Sequence, residues 1–177
     1  LLSQDRFEEA RSEFEAVLGA VDDDDPIRFA ALGDIGFSHY LEAIDNEGDP
    51  GGFERASDVF ARLARIPDAP RRWIYDASVR RGKCLEALGR TEVALEIYRS
   101  LVTGADREST LLTNVSSPEA TIWIFRAGFA AIKILEQRED WQAAIRIADE
   151  LSREDGPRAI KASRLAERMR LEHWVWD

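Results

Sequence analysis

Arg81-Gly82-Lys83-Cys84-Leu85-Glu86-Ala87-Leu88-Gly89-Arg90-Thr91-Glu92-Val93-Ala94-Leu95-Glu96-Ile97-Tyr98 decides the fold. Its first half places Cys84, Leu85 and Leu88 on one helical stripe and then stops at Gly89, the residue type best suited to the left-handed position after a helix. Thr91 can cap a second helix, whose apolar residues Val93, Ala94, Ile97, Tyr98 and Leu101 recur at intervals of three and four. Each helix has one face to bury, and the turn between them is too short to let them part. They must pack on each other.

The same punctuation recurs outward in both directions. Asp25-Pro26 sets an acceptor before a proline at the first helical position, where its missing N–H costs nothing. Ser117-Pro118-Glu119 and Gly156-Pro157 mark two further starts. The periodicity between these marks predicts helices at about 6–19, 26–45, 52–65, 71–88, 91–103, 118–138, 140–152 and 157–174, and no strand. An alanine followed four residues later by an aromatic appears as Ala10/Phe14, Ala56/Phe60 and Ala94/Tyr98. The small residue allows two helices to approach, and the aromatic one turn on fills the space beside it. Phe7 and Phe53 stand three residues before the first two alanines, with Thr91 less well placed before the third. Trp141-Gln142-Ala143-Ala144 opens a fourth copy that has Ala148 in the aromatic's place.

On these residues the chain resembles the tetratricopeptide repeat family. The opening stretch follows that family's order of glycine, a large residue three on, a turn glycine, and alanine four before an aromatic, although Leu85 stands where tyrosine is preferred and Arg81 where leucine is. Gly36 takes the glycine's place in the second copy and Ile132 in the fourth. The resemblance implies an all-α superhelix of antiparallel hairpins: a partial one at 1–19, then 26–65, 71–103 and 118–152, closed by a capping helix at 157–174. The stripe Ala159, Ala162, Leu165, Ala166 and Met169 suits that cap. The family repeats at about 34 residues, whereas Ala10, Ala56, Ala94 and Ala144 are spaced by 46, 38 and 50. The extra length is expected inside the second hairpin, at 46–52, and between hairpins, at 103–117. In this register Leu1 falls near the end of a first helix, so the chain reads as the C-terminal portion of a longer array.

Composition narrows the function. The 177 residues are 45% hydrophobic and 33% charged, as a globular domain requires. The 34 acidic against 24 basic residues give −10, a field that repels phosphate backbones. Nucleic acid is therefore not an expected partner, though Arg71, Arg72, Arg80, Arg81 and Lys83 form a locally basic run. No apolar run reaches the roughly 20 residues of a membrane span. With one cysteine no internal disulfide forms, and the compartment, cytoplasmic or periplasmic, stays open.

Signatures of phosphate loops, zinc helices and nucleophile elbows are missing, and no cofactor, metal or enzymatic activity is expected. His39 reads as a groove or packing residue, and Cys84 as a small core residue rather than an activated thiol. Asp22-Asp23-Asp24-Asp25 reads as an acidic helix start, since the spacing and glycine of a calcium loop are lacking. Trp141, Trp123, Phe125 and Phe129 read first as packing. Trp174 and Trp176, in a segment apolar on more than one side, are divided between packing on the last hairpin and a partner or homodimer interface.

In the resembling family the first helix of each hairpin lines a concave groove that receives a peptide or helix. Carried over by register, the groove residues are Phe37, Tyr40 and Leu41, then Asp76, Val79, Lys83 and Glu86, then Arg126, Phe129, Lys133 and Glu136. A clamp for a C-terminal carboxylate is not expected, because Gly33 and Phe37 occupy its place. The expected function is a non-catalytic scaffold for another protein or peptide, for example in a bacterial envelope or multiprotein assembly. The second expectation is a regulatory or sensory domain of a longer enzyme or transcriptional regulator.

Overall fold

A computed structural model describes residues 6–22, 25–104 and 118–175. Among them are eight α-helices and no strand: α1 (Phe7–Ala20), α2 (Pro26–Asp45), α3 (Pro50–Ala64), α4 (Arg71–Ala87), α5 (Thr91–Thr103), α6 (Pro118–Gln137), α7 (Trp141–Ser152) and α8 (Pro157–His173). The contacts divide the chain into two compact units, Leu1–Ala94 and Leu95–Asp177, with the boundary inside α5. In the first unit α1 packs on α2, α2 on α3 and α3 on α4, with α2 also meeting α4; in the second, α6 packs on α7 and α7 on α8.

Three turns share a closing hydrogen bond from an N–H to the carbonyl five residues back. After α4, Arg90 N–H donates to the Leu85 carbonyl at 2.8 Å and Gly89 N–H to Glu86 at 3.0 Å; after α6, Asp140 donates to Leu135 at 3.0 Å and Glu139 to Glu136 at 3.1 Å. After α2, Gly48 and Asp49 N–H both reach the Ala43 carbonyl, at 2.8 and 2.9 Å. This geometry needs a left-handed residue just past the helix. Gly89 supplies it as the sequence predicts, at φ 71°, but Glu139 (φ 59°) and Glu47 (φ 56°) do the same without glycine's freedom.

The loop after α2 is shorter than the sequence suggests. Asp49 caps α3, accepting from Gly51 and Gly52 N–H at 3.1 and 2.8 Å, with Pro50 at the first helical position. The device is that of Asp25-Pro26, where Asp25 accepts from Ile27 N–H at 2.8 Å. Pro50-Gly51-Gly52 is thus a first turn of α3 and not an inserted loop, which corrects the expected start at 52. Gly52 is needed there, because a Cβ would lie 2.6 Å from that of Ala43.

Phe29, Leu32, Ala43, Phe53, Ala56, Phe60, Leu63, Ala77 and Cys84 belong to one buried cluster in the first unit. In the second, Ile124, Phe125, Ile132, Leu135, Ala144, Ile147, Ala148 and Leu151 are buried, with Ala159, Ala162, Ala166 and Met169 from α8. Ala56 and Phe60 pack as expected. Phe60 lies against Gly36, where a Cβ would meet its ring at 2.7 Å.

The last hairpin contains a similar contact. Gly128, not Ile132, makes the matching approach, with Leu151 side-chain carbons 2.5 to 2.8 Å from where its Cβ would be. Gly36 and Gly128 each lie seven residues before the carbonyl that closes the turn, Ala43 and Leu135 respectively. Ile132 is itself buried, three residues before Leu135.

A polar bridge joins α1 to α2. Arg11 donates from Nη1 to Ser38 Oγ at 3.1 Å and to Glu42 at 2.8 Å, and Ser38 Oγ donates to the Phe7 carbonyl at 3.2 Å. Fully buried Ser38 is therefore satisfied on both sides.

Candidate functional site

Phe37 follows Gly36, and Phe129 follows Gly128. Because each glycine turns inward to touch the paired helix, the next residue, 100° around the helix, is carried off the core and toward the neighbouring even-numbered helix. Both rings are half-buried. Tyr40 stacks beside Phe37 with centroids 6.3 Å apart and itself leans on Phe53 at 5.6 Å. Phe125 stacks beside Phe129, also at 6.3 Å.

A cation from the next even-numbered helix roofs each ring. The Arg80 guanidinium of α4 lies 4.4 Å above the Phe37 centroid, and the Lys161 ammonium of α8 lies 5.2 Å above that of Phe129. Arg126 adds a third such contact, 4.2 Å over Trp123 on its own helix. Each is an attraction between a positive head and the electron-rich ring face, of about 0.5–1 kcal/mol when exposed.

The charges around the two rings differ. On the first, Arg80 is ion-paired with Asp76 one turn earlier, and Lys83 with Glu86 at 3.2 Å. Partial burial pushes the Asp34 carboxyl above the usual carboxylate range, against the pull of Arg80, while Asp76 adds to the rise. On the second, Arg126, Lys133 and Lys161 are exposed, and Glu136 is half-buried.

Most residues expected to line a groove stand at such surfaces. Phe37, Tyr40, Leu41, Asp76 and Glu86 are half-buried and Lys83 is exposed on α2 and α4; on α6, Phe129 and Glu136 are half-buried, and Arg126 and Lys133 exposed. Val79 is the departure. Only 4% exposed, it is a packing residue with no surface to present. Arg80 and Lys161 were not read as groove residues from sequence. They lie 43 and 32 positions from the rings they cover, and nothing local marks the pairing.

The other singled-out side chains have structural places. Cys84 is fully buried and burial pushes its thiol up to about 12, so it is a core residue and no thiolate forms near neutrality. His39 Nδ1 sits 3.8 Å from Glu42, and its pKa is lowered, first by burial and then by Arg11 and Arg55. It also lines a cavity of about 380 Å³ with Glu15, Leu18, Leu32, Ile35, Val59 and Arg62. Trp141 stacks on His173 at 3.5 Å, tying the start of α7 to the end of α8. Trp174, at 80% exposure, does not pack back on the last hairpin, and it takes a left-handed conformation at φ 55°. Trp176, Asp23 and Asp24 lie outside the described residues.

Among the described residues no cluster of three or more His, Cys, Asp or Glu is arranged to hold a metal ion, and no helix is long and apolar enough to cross a membrane. Compared with known proteins, the chain matches no family model, no curated protein and no solved structure.

Proposed function

We propose that this chain is a non-catalytic scaffold of the tetratricopeptide type, in each of whose units the even-numbered helices offer a surface to a peptide or helix of a partner protein. The observation that carries the reading is the recurrence, in each unit, of an aromatic ring directly after a close-approach glycine and under a cation from the next even-numbered helix. A ring fixed by a stacked neighbour and a roofing cation is already ordered, so a ligand that packs on its edge gains contact area at little entropic cost.

The short turns, the alternation of neighbours and the glycine-to-aromatic packing between paired helices support the hairpin-repeat part of the reading. The non-catalytic part draws support from Cys84, whose buried and protonated thiol is withheld from chemistry. The test is capture of partners by the intact chain against Phe37→Ala and Phe129→Ala, singly and together. Loss of the captured proteins with helicity unchanged supports the reading; an unchanged set of partners removes it.

A further inference from the structure

Which chemistry the partner offers is decided by the cations that lack a carboxylate. Beside Phe37, Arg80 and Lys83 are neutralised along their own helix by Asp76 and Glu86. Beside Phe129 the situation reverses. Arg126 and Lys161 rest on rings, Lys133 stands one turn on from Phe129, and among the described residues none of the three meets a carboxylate.

A cation over a ring keeps its full charge and its outward N–H donors, unlike one closed in an ion pair. Arg158 and Arg164 add two further exposed cations on α8, whereas Arg168 is paired with Glu172 at 3.8 Å and Arg170 with Asp149 of α7 at 2.6 Å. In a chain of net charge −10, this is a local positive surface set around an aromatic ring.

We propose that the α6–α8 surface binds an acidic segment of a partner protein. Its carboxylates would pair with Arg126, Lys133 and Lys161, and one of its aliphatic or aromatic side chains would pack on Phe129. The inference rests on the scaffold reading and adds to it the charge of the partner and the unit that receives it. A short segment fits better than a nucleic acid or an anionic bilayer, because an extended polyanion would also face the repulsion of the remaining acidic surface. The attraction steers the segment and fixes its register, and it weakens with salt.

The probe is a fluorescein-labelled amphipathic peptide of leucine and glutamate, followed by anisotropy, with a leucine–lysine peptide and phosphatidylserine vesicles in parallel. The glutamate peptide should bind saturably and more weakly as salt rises. Lys133→Glu with Lys161→Glu should weaken it about tenfold or more, because each exchange replaces an attraction with a repulsion at an exposed site. Arg146→Glu, an exposed reversal on α7, controls for net charge and should leave binding within about twofold. Equal binding of both peptides, indifference to the double reversal, or no binding of the glutamate peptide overturns the proposal. So does binding of the vesicles alone. None of these results touches partner capture through Phe37 and Phe129, so the scaffold reading is judged separately.

Discussion

Gly33 and Gly36 lie three residues apart on α2, yet alanine should act in opposite senses at the two. In an exposed helix interior, replacing glycine with alanine removes backbone entropy and gains about 1 kcal/mol. At Gly33 a Cβ would sit 3.8 Å from Leu63 and Trp73, an ordinary contact, so most of that gain should appear. At Gly36 it would sit 2.7 Å from Phe60 Cε1 and 3.0 Å from Cδ1 and Cζ, well inside the roughly 3.5–4.0 Å at which carbons rest. Phe60 is fully buried and cannot swing away, so overpacking of about 1–3 kcal/mol outweighs the helix gain.

The expected difference between Gly33→Ala and Gly36→Ala is about 2 kcal/mol, or roughly 4–8 °C in Tm for a chain of this size. Urea and thermal unfolding followed by circular dichroism measure it, and both sites lie in the same unit, so they report on the same cooperative block. In a Phe60→Leu background the penalty at Gly36 should shrink, because the two sites share one contact. If Gly36→Ala stabilises as much as Gly33→Ala, helices α2 and α3 do not meet as described.

Further outcomes follow from the turns and the buried groups. Glu139→Gly should stabilise the protein by about 1 kcal/mol, since a left-handed non-glycine residue carries that cost, whereas Gly89→Ala should lose a similar amount; the same unfolding curves read both. His39 has a folded pKa below its unfolded value, so its contribution is full above about 6.5 and is lost as pH falls toward the lowered value. The Glu42 and Glu15 charges oppose the shift that burial, Arg11 and Arg55 produce. His39→Gln should flatten the decline in stability between neutrality and mild acid, and an unchanged slope would show that His39 does not carry it. Cys84 should resist thiol reagents in the native state and react at a rate set by unfolding; rapid native labelling would contradict its burial.

Most of the architecture was legible because helix ends in this chain are written locally. Prolines after aspartate or serine start helices, Gly89 stops one, and apolar stripes of period 3.6 fix the buried faces between, so the observed bounds fall within two residues of those read from sequence. The errors share a physical origin. Pro50-Gly51-Gly52 looked like loop because its residues are poor helix formers, but an aspartate cap and the tight approach of Gly52 to Ala43 outweigh propensity. The resemblance puts Ile132 at the helix glycine's position of the last copy, while the glycine that touches the paired helix there is Gly128, seven residues before the turn carbonyl as Gly36 is. The candidate site was half legible. Its aromatics follow from register, but Arg80 and Lys161 reach them from other helices, and the burial of Val79 depends on tertiary contacts that no local pattern reveals.

The claim most exposed to experiment is that α2, α4, α6 and α8 receive the partner. Hydrogen–deuterium exchange of the chain alone and with a captured partner bound tests it directly. Slowed exchange is expected in the segments holding Phe37, Arg80, Phe129 and Lys161, with α3 and α7 little changed. Slowing confined to α3 and α7, with the even-numbered helices unaffected, would contradict it.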